Sequence, residues 1–130
     1  MARKHVIDTH PLIWYLEGNV RLAARARAVL DDPRSDLVLP VIALAEATFL
    51  VERRRVRISS VPSLLADIQA DPRIAIAPLT WDVFQHSLSL QAIPEMHDRF
   101  NVATALHLQS QGHTVTLVTK DETITTYEFR

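Results

Sequence analysis

The chain has 130 residues, 48% of them hydrophobic, with a formal net charge of −1, two glycines and no cysteine. That length fits one domain over 1–130 with a core of its own, and the missing thiols exclude disulfides and thiolate metal sites. The near-neutral balance excludes a global pull toward nucleic acid, so local arginines or metal ions would have to hold RNA or DNA; no apolar run reaches the roughly 18–20 residues of a membrane span, and the opening MARKHVID lacks the apolar stretch of a signal peptide, so a cytoplasmic location is expected.

His5 to Asp8 reads as a short buried strand. Thr9 is placed to cap the next helix and Pro11 suits its first turn, so a helix is expected over 11–17, broken by Glu17, Gly18 and Asn19. Leu22, Ala26, Val29 and Leu30 repeat at helical spacing up to Pro33. DLVLP is a second strand. VIALAEATFLVERRR, apolar on nearly every side, reads as a buried central helix. VPSLLADIQADP is a further helix ending before Pro72, RIAIAP a third strand, and TWDVFQHSLSLQAI a helix capped by Thr80. The helix DRFNVATALHLQSQG closes with Gly112 at the C′ position. TVTLVT is a fourth strand, and the last residues read as a short helix. Strands alternating with helices predict a mainly parallel sheet covered on both faces. In such sheets the crevice lies beyond the carboxyl ends of the strands, where Asp8, Thr119 and Asp121 fall.

Glu46 is the only charge between Val41 and Val51, and burying a lone carboxylate is costly. Asp98 opens the late helix with Asn101 three residues on, on a shared face. Asp121 follows the last strand. Converging carboxylates repel unless a cation intervenes. All-oxygen ligands suit Mg²⁺ or Mn²⁺, and such ions serve phosphodiester hydrolysis. The plainer reading makes Asp8, Asp98 and Asp121 helix caps, Thr119-x-x-Glu122 a capping box, and Glu46 the partner of a buried arginine.

VIDTHPLIWYL, LPVIALAEATFLVERRRVRI and MHDRFNVATALHLQSQGHTVTLVTKDETI, in this order and spacing, resemble the PIN-domain nucleases, specifically the VapC toxin branch of bacterial toxin–antitoxin pairs. The resemblance covers nearly the whole chain. It implies a three-layer α/β/α sandwich with a mainly parallel sheet of four or five strands, and Mg²⁺- or Mn²⁺-dependent endoribonuclease activity. It also implies a homodimer, and inhibition by a cognate antitoxin inserted near the acidic pocket. On this pattern Asp8, Glu46 and Asp98 are the primary metal ligands, and Asp121 acts directly or through water. Thr9, Asn101, Thr119 and Arg99 are candidates for water or phosphate contacts, and transfer RNA is a common target among relatives. The chain departs from the pattern at Glu95, where relatives often carry an aspartate, and at Arg54, where they often carry glycine. It stops at TTYEFR, so the family's final short strand is expected to be missing or shorter.

The RRRVR run from Arg53 to Arg57 suits either RNA phosphates or a solvated helix C-terminus. Trp14 and Tyr15 read as core or dimer packing before base stacking. Metal ligation by His10 or His97 would favour zinc or another softer ion. Two rival readings are a receiver-like signalling domain, which lacks a phospho-accepting aspartate after DLVLP, and a catalytically inactive PIN fold serving as a binding module.

Overall fold

A computed structural model describes residues 3–119 and 124–126. The elements in chain order are β1 (Arg3–Ile7), α1 (Thr9–Glu17), α2 (Ala24–Asp31), β2 (Asp36–Pro40), α3 (Val41–Glu52), α4 (Val61–Gln69), β3 (Ile74–Ala77), α5 (Trp81–Ser87), α6 (Met96–Ser110), β4 (Thr114–Val118) and β5 (Ile124–Thr126). The sheet runs β3-β2-β1-β4-β5. Its first four strands are parallel, and β5 pairs antiparallel to β4. This is the expected α/β architecture with a five-stranded sheet. Successive strand residues face opposite layers. Ile7, Leu37, Leu39 and Val118 pack with Leu12, Leu30, Ala43, Ala47 and Leu64 from α1 to α4. Val6, Val38, Val115 and Leu117 pack with Val102 and Ala105 of α6 on the other face.

Several expectations need correction. The C-terminal segment was expected to be helical, yet 124–126 is strand: Ile, Thr and Thr are all β-branched and suit an edge strand. A further strand, antiparallel to β4, is therefore present at Ile124–Thr126. Helix α5 stops at Ser87, shorter than the expected run to 93, and Leu88 to Ile93 turn through Leu90 N–H to Ser87 C=O and Ile93 N–H to Leu90 C=O. Helix α3 is not buried all round. It buries Ala43, Ala47 and Val51, but leaves Val41, Ala45 and Phe49 open, Phe49 at 56% exposure with the Arg53 guanidinium 3.6 Å above its ring.

Three helices end in the same way. In the Schellman motif a left-handed C′ residue lets two carbonyls of the last turn find donors. Gly18, Arg54 and Gly112 occupy that position after α1, α3 and α6, with φ of +63°, +54° and +96°. The paired bonds are Asn19 to Trp14 and Gly18 to Tyr15, Arg55 to Leu50 and Arg54 to Val51, and His113 to Leu108 and Gly112 to Gln109. Gly112 thus stands at the expected C′. Arg54 carries a Cβ where the backbone disfavours one, by roughly 1–2 kcal/mol. Arg54→Gly should raise stability by about 0.5–1 kcal/mol after the added unfolded-state freedom of glycine is subtracted. A thermal melt should show the gain as a rise in Tm of about 2–4 °C; a lower Tm would refute the strain argument.

Candidate active site

The strand order reverses its direction of growth between β1 and β4, since β2 and β3 add on one side of β1 and β4 and β5 on the other. In open parallel sheets a crevice opens beyond the carboxyl ends at such a point. Asp8 and Thr119 follow the two strands that flank it. The Asp8 N–H donates to Val118 C=O at 3.0 Å, which pins the start of the site to the end of β4.

Asp8 is 8% exposed, so its charge needs partners. Its Oδ1 accepts from the Thr9 backbone N–H at 2.7 Å and from Asn101 Nδ2 at 2.7 Å. Asp8, not Thr9, is therefore the N-cap of α1. A cap residue must be extended, as Asp8 is at φ −76° and ψ 168°, whereas Thr9 already belongs to the helix. The Thr9 hydroxyl instead donates to Glu46 Oε1 at 2.7 Å, with Ala43 C=O farther off at 3.3 Å. Thr9 thus joins the first acid to the second. That bridge had no signal in the sequence, because Thr9 and Glu46 are 37 positions apart. No buried arginine is needed to explain Glu46.

Asn101 enters from the other side of the sheet on α6, 1% exposed. Its amide must turn Nδ2 toward Asp8, because a carboxylate only accepts. This leaves Asn101 Oδ1 buried with no hydrogen-bond partner among the described residues, and an orphaned buried acceptor is rare. Asp98 lies one turn earlier on the same side of α6, in its first turn, where the helix dipole favours negative charge. It does not cap α6. Glu95 does, accepting from Asp98 N–H at 2.9 Å, and its other oxygen pairs with His97 Nδ1 at 2.7 Å. Burial raises the Glu95 pKa, but the Asp98 and His97 hydrogen bonds outweigh it and hold the carboxyl below its ordinary value. The Glu95 that replaces the family's aspartate thus serves the helix end.

The remaining candidates separate. Arg99 directs Nε and Nη2 to Ile93 C=O at 2.9 and 2.6 Å, fastening the loop before α6. His10 stacks edge-on against Trp14. Trp14 and Tyr15 pack against the core. Arg54, Arg55 and Arg57 line a cavity of about 360 Å³ with Trp14, Glu17 and Arg21, at the far ends of α1 and α3. Asp121 and Glu122 lie outside the described residues.

The residues that hydrogen bonds join present oxygen ligands, from Asp8, Glu46 and the unpartnered Asn101 carbonyl, with Asp98 one turn before Asn101 on α6. That chemistry fits a hard divalent ion. Among the described residues no three histidine or acidic side chains stand close enough to enclose an ion directly. Mg²⁺ keeps several waters and needs only one or two carboxylates, so the donor set still fits.

The PIN domain family model matches residues 5–129. No curated protein matches the chain. Among solved structures, the crystal structure of Mycobacterium tuberculosis VapC20, a sarcin-ricin loop cleaving toxin, is similar to this chain with a TM-score of 0.58 and 14% identity over 85% of each chain. At that identity the likeness is one of fold. The receiver reading falls with the family match, which runs from the first strand through the last. This chain belongs to the PIN domain family.

Proposed function

We propose that the chain is a Mg²⁺- or Mn²⁺-dependent endoribonuclease, a single PIN domain that acts as the toxin of a VapC-type toxin–antitoxin pair. The observation that carries the reading is the bonded chain Asn101–Asp8–Thr9–Glu46 at the sheet's reversal point, in a chain of this family. When bound, a hard divalent ion supplies an activated water and neutralises charge on the scissile phosphate. Asp8, Glu46 and Asp98 would hold it, in part through its waters, with Asp121 as the fourth acid of the set. Asn101 fixes the Asp8 carboxylate from one side, and Thr9 fixes Glu46 from the other. The open Asn101 Oδ1 would accept from a water of such an ion. Thr119, just after β4, lies on the crevice side of the sheet.

The substrate is RNA, with transfer RNA and structured ribosomal loops as the classes to test first, since the similar VapC20 cuts the sarcin-ricin loop. The arginine-lined cavity suits backbone phosphates on a chain without net positive charge. The open apolar flank of α3 suits a protein partner, either a second copy or the antitoxin. No helix among the described residues is long and apolar enough to cross a membrane.

The test is cleavage of total RNA by the purified chain with Mg²⁺, Mn²⁺ or EDTA, beside Asp98→Asn. Cutting should require the metal, and Asp98→Asn should lower it by about 10² or more, as when a group acting on a developing charge is lost. Relief of carboxylate repulsion favours a fold for that variant as stable as the wild type or more so. Its place in the first turn of α6 opposes that gain, because neutralising it forfeits about 0.3–1 kcal/mol of dipole stabilisation. Undiminished cutting by Asp98→Asn, or cutting in EDTA, would overturn the assignment. RNA binding without cutting would favour the inactive binding module.

A further inference from the structure

Helices α5 and α6 pack side by side, and where they meet His86 faces His107. The two imidazoles have centroids 5.7 Å apart and planes at 59°. Both side chains are half-buried. They line an open cavity of about 460 Å³ with Asp82, Gln85, Ser89 and Ser110, so its lining holds one carboxylate and no lysine or arginine. Asp82 precedes His86 by four residues and shares its side of α5. Among the described residues the histidine–carboxylate ion pair is His97 with Glu95; neither His86 nor His107 is engaged in one.

We propose that His86 and His107 form a two-imidazole site for a borderline divalent ion of the Zn²⁺ class, clamping α5 to α6. The spacing carries the argument. A zinc–nitrogen bond of about 2.0–2.1 Å places each ring centre roughly 3.2 Å from the ion, so two rings sharing it at tetrahedral to wider angles stand about 5–6 Å apart. The observed separation is within that range before any ion is added. No three histidine or acidic groups are already at binding distance, so waters complete the shell and Asp82 acts through one of them or by changing rotamer. Imidazole donors select Zn²⁺, Ni²⁺ or Cu²⁺ over Mg²⁺, which sets this site apart chemically from the all-oxygen one. His107 lies nine residues beyond Asp98 on α6, about 13 Å along the helix, so the two sites do not share ligands. The clamp is independent of the nuclease reading, and either can fail alone.

The test is titration of the full chain with ZnCl₂ in excess Mg²⁺, followed by calorimetry and thermal melting, for the wild type, His86→Gln, His107→Gln and Asp8→Asn. Wild type and Asp8→Asn should each bind one equivalent and gain Tm. Each glutamine variant should bind about tenfold or more weakly, a loss at least as large as that from disturbing an outer-shell partner, and should gain no Tm. Circular dichroism without zinc confirms that the variants fold, and in the wild type zinc should move the imidazole nitrogen resonances of His86 and His107. Absence of uptake by the wild type would overturn the clamp. So would retained affinity in either glutamine variant, or loss confined to Asp8→Asn.

Discussion

Asp8→Asn should abolish cleavage while leaving the fold nearly as stable as the wild type. The reason lies in which oxygen makes which bond. Both the Thr9 N–H and the Asn101 amide bond to the same atom, Asp8 Oδ1. An asparagine can present its one carbonyl oxygen there, keep both bonds, and cap α1 as well as aspartate does. What it changes is the second oxygen, which becomes an amide, and the charge, which vanishes. A drop of about 10²–10⁴ in cleavage rate is expected, the range found when one member of a reacting constellation is neutralised with its geometry intact. Stability should move by less than about 1 kcal/mol. Asp8→Ala is the contrast: it loses the cap and strands the Asn101 amide in the interior, for about 2–4 kcal/mol. A rate assay beside a urea melt separates the roles. If Asp8 were only a cap, the asparagine variant would cut normally.

Arg73→Met should cost about 2–4 kcal/mol, a large share of the roughly 5–15 kcal/mol that holds a domain of this kind together. Arg73 sits just before β3 and reaches back to the end of α2. Its Nη1 donates to Leu30 C=O at 2.6 Å and Asp32 C=O at 2.7 Å, while Nε and Nη2 fork onto the Asp71 carboxylate at 3.0 and 2.8 Å. One guanidinium therefore terminates a helix and anchors a strand, at a largely shielded site. Methionine fills similar space but abandons two carbonyls and leaves Asp71 without its counter-charge. The Arg73 hydrogen bond holds the Asp71 carboxyl below its ordinary value. Because the folded pKa is the lower one, the pair's stabilisation is complete above about pH 4 and is lost as pH falls through the folded value. The gap in urea midpoint between wild type and variant should accordingly narrow below pH 4. An equal gap at pH 7 and pH 3 would show that the ion pair is not its source.

The parts of this molecule legible in its sequence are those where a local rule meets no competition. Alternating strand and helix signals announced the parallel sheet. Asp8 and Glu46 stood out because charge is unwelcome in their surroundings, and Gly112 is where a helix end requires a left-handed residue. The misreadings have equally definite causes. α6 begins at Met96 because a glutamate, an uncommon cap, closes its first turn. α3 looked buried on all sides because a uniformly apolar helix carries no mark of which flank its neighbours leave uncovered. The bonds that assemble the site, Thr9 to Glu46 and Asn101 to Asp8, span 37 and 93 positions. Such bonds come from tertiary packing, and no periodicity encodes them. Asn101 was noticed for its position beside Asp98, yet its hydrogen bond goes to the other acid.

Val41, Ala45 and Phe49 recur every four residues along α3, and Glu46 is on the same helix, adjacent to Ala45 and one turn from Phe49. Any protein laid along this stripe would stand at the threshold of the acidic crevice. It would obstruct the approach of a bulky polynucleotide by steric occlusion, with no message relayed through the core. On the proposed nuclease reading, inhibition there would be competition for space, reversible on dilution and strongest against bulky RNA.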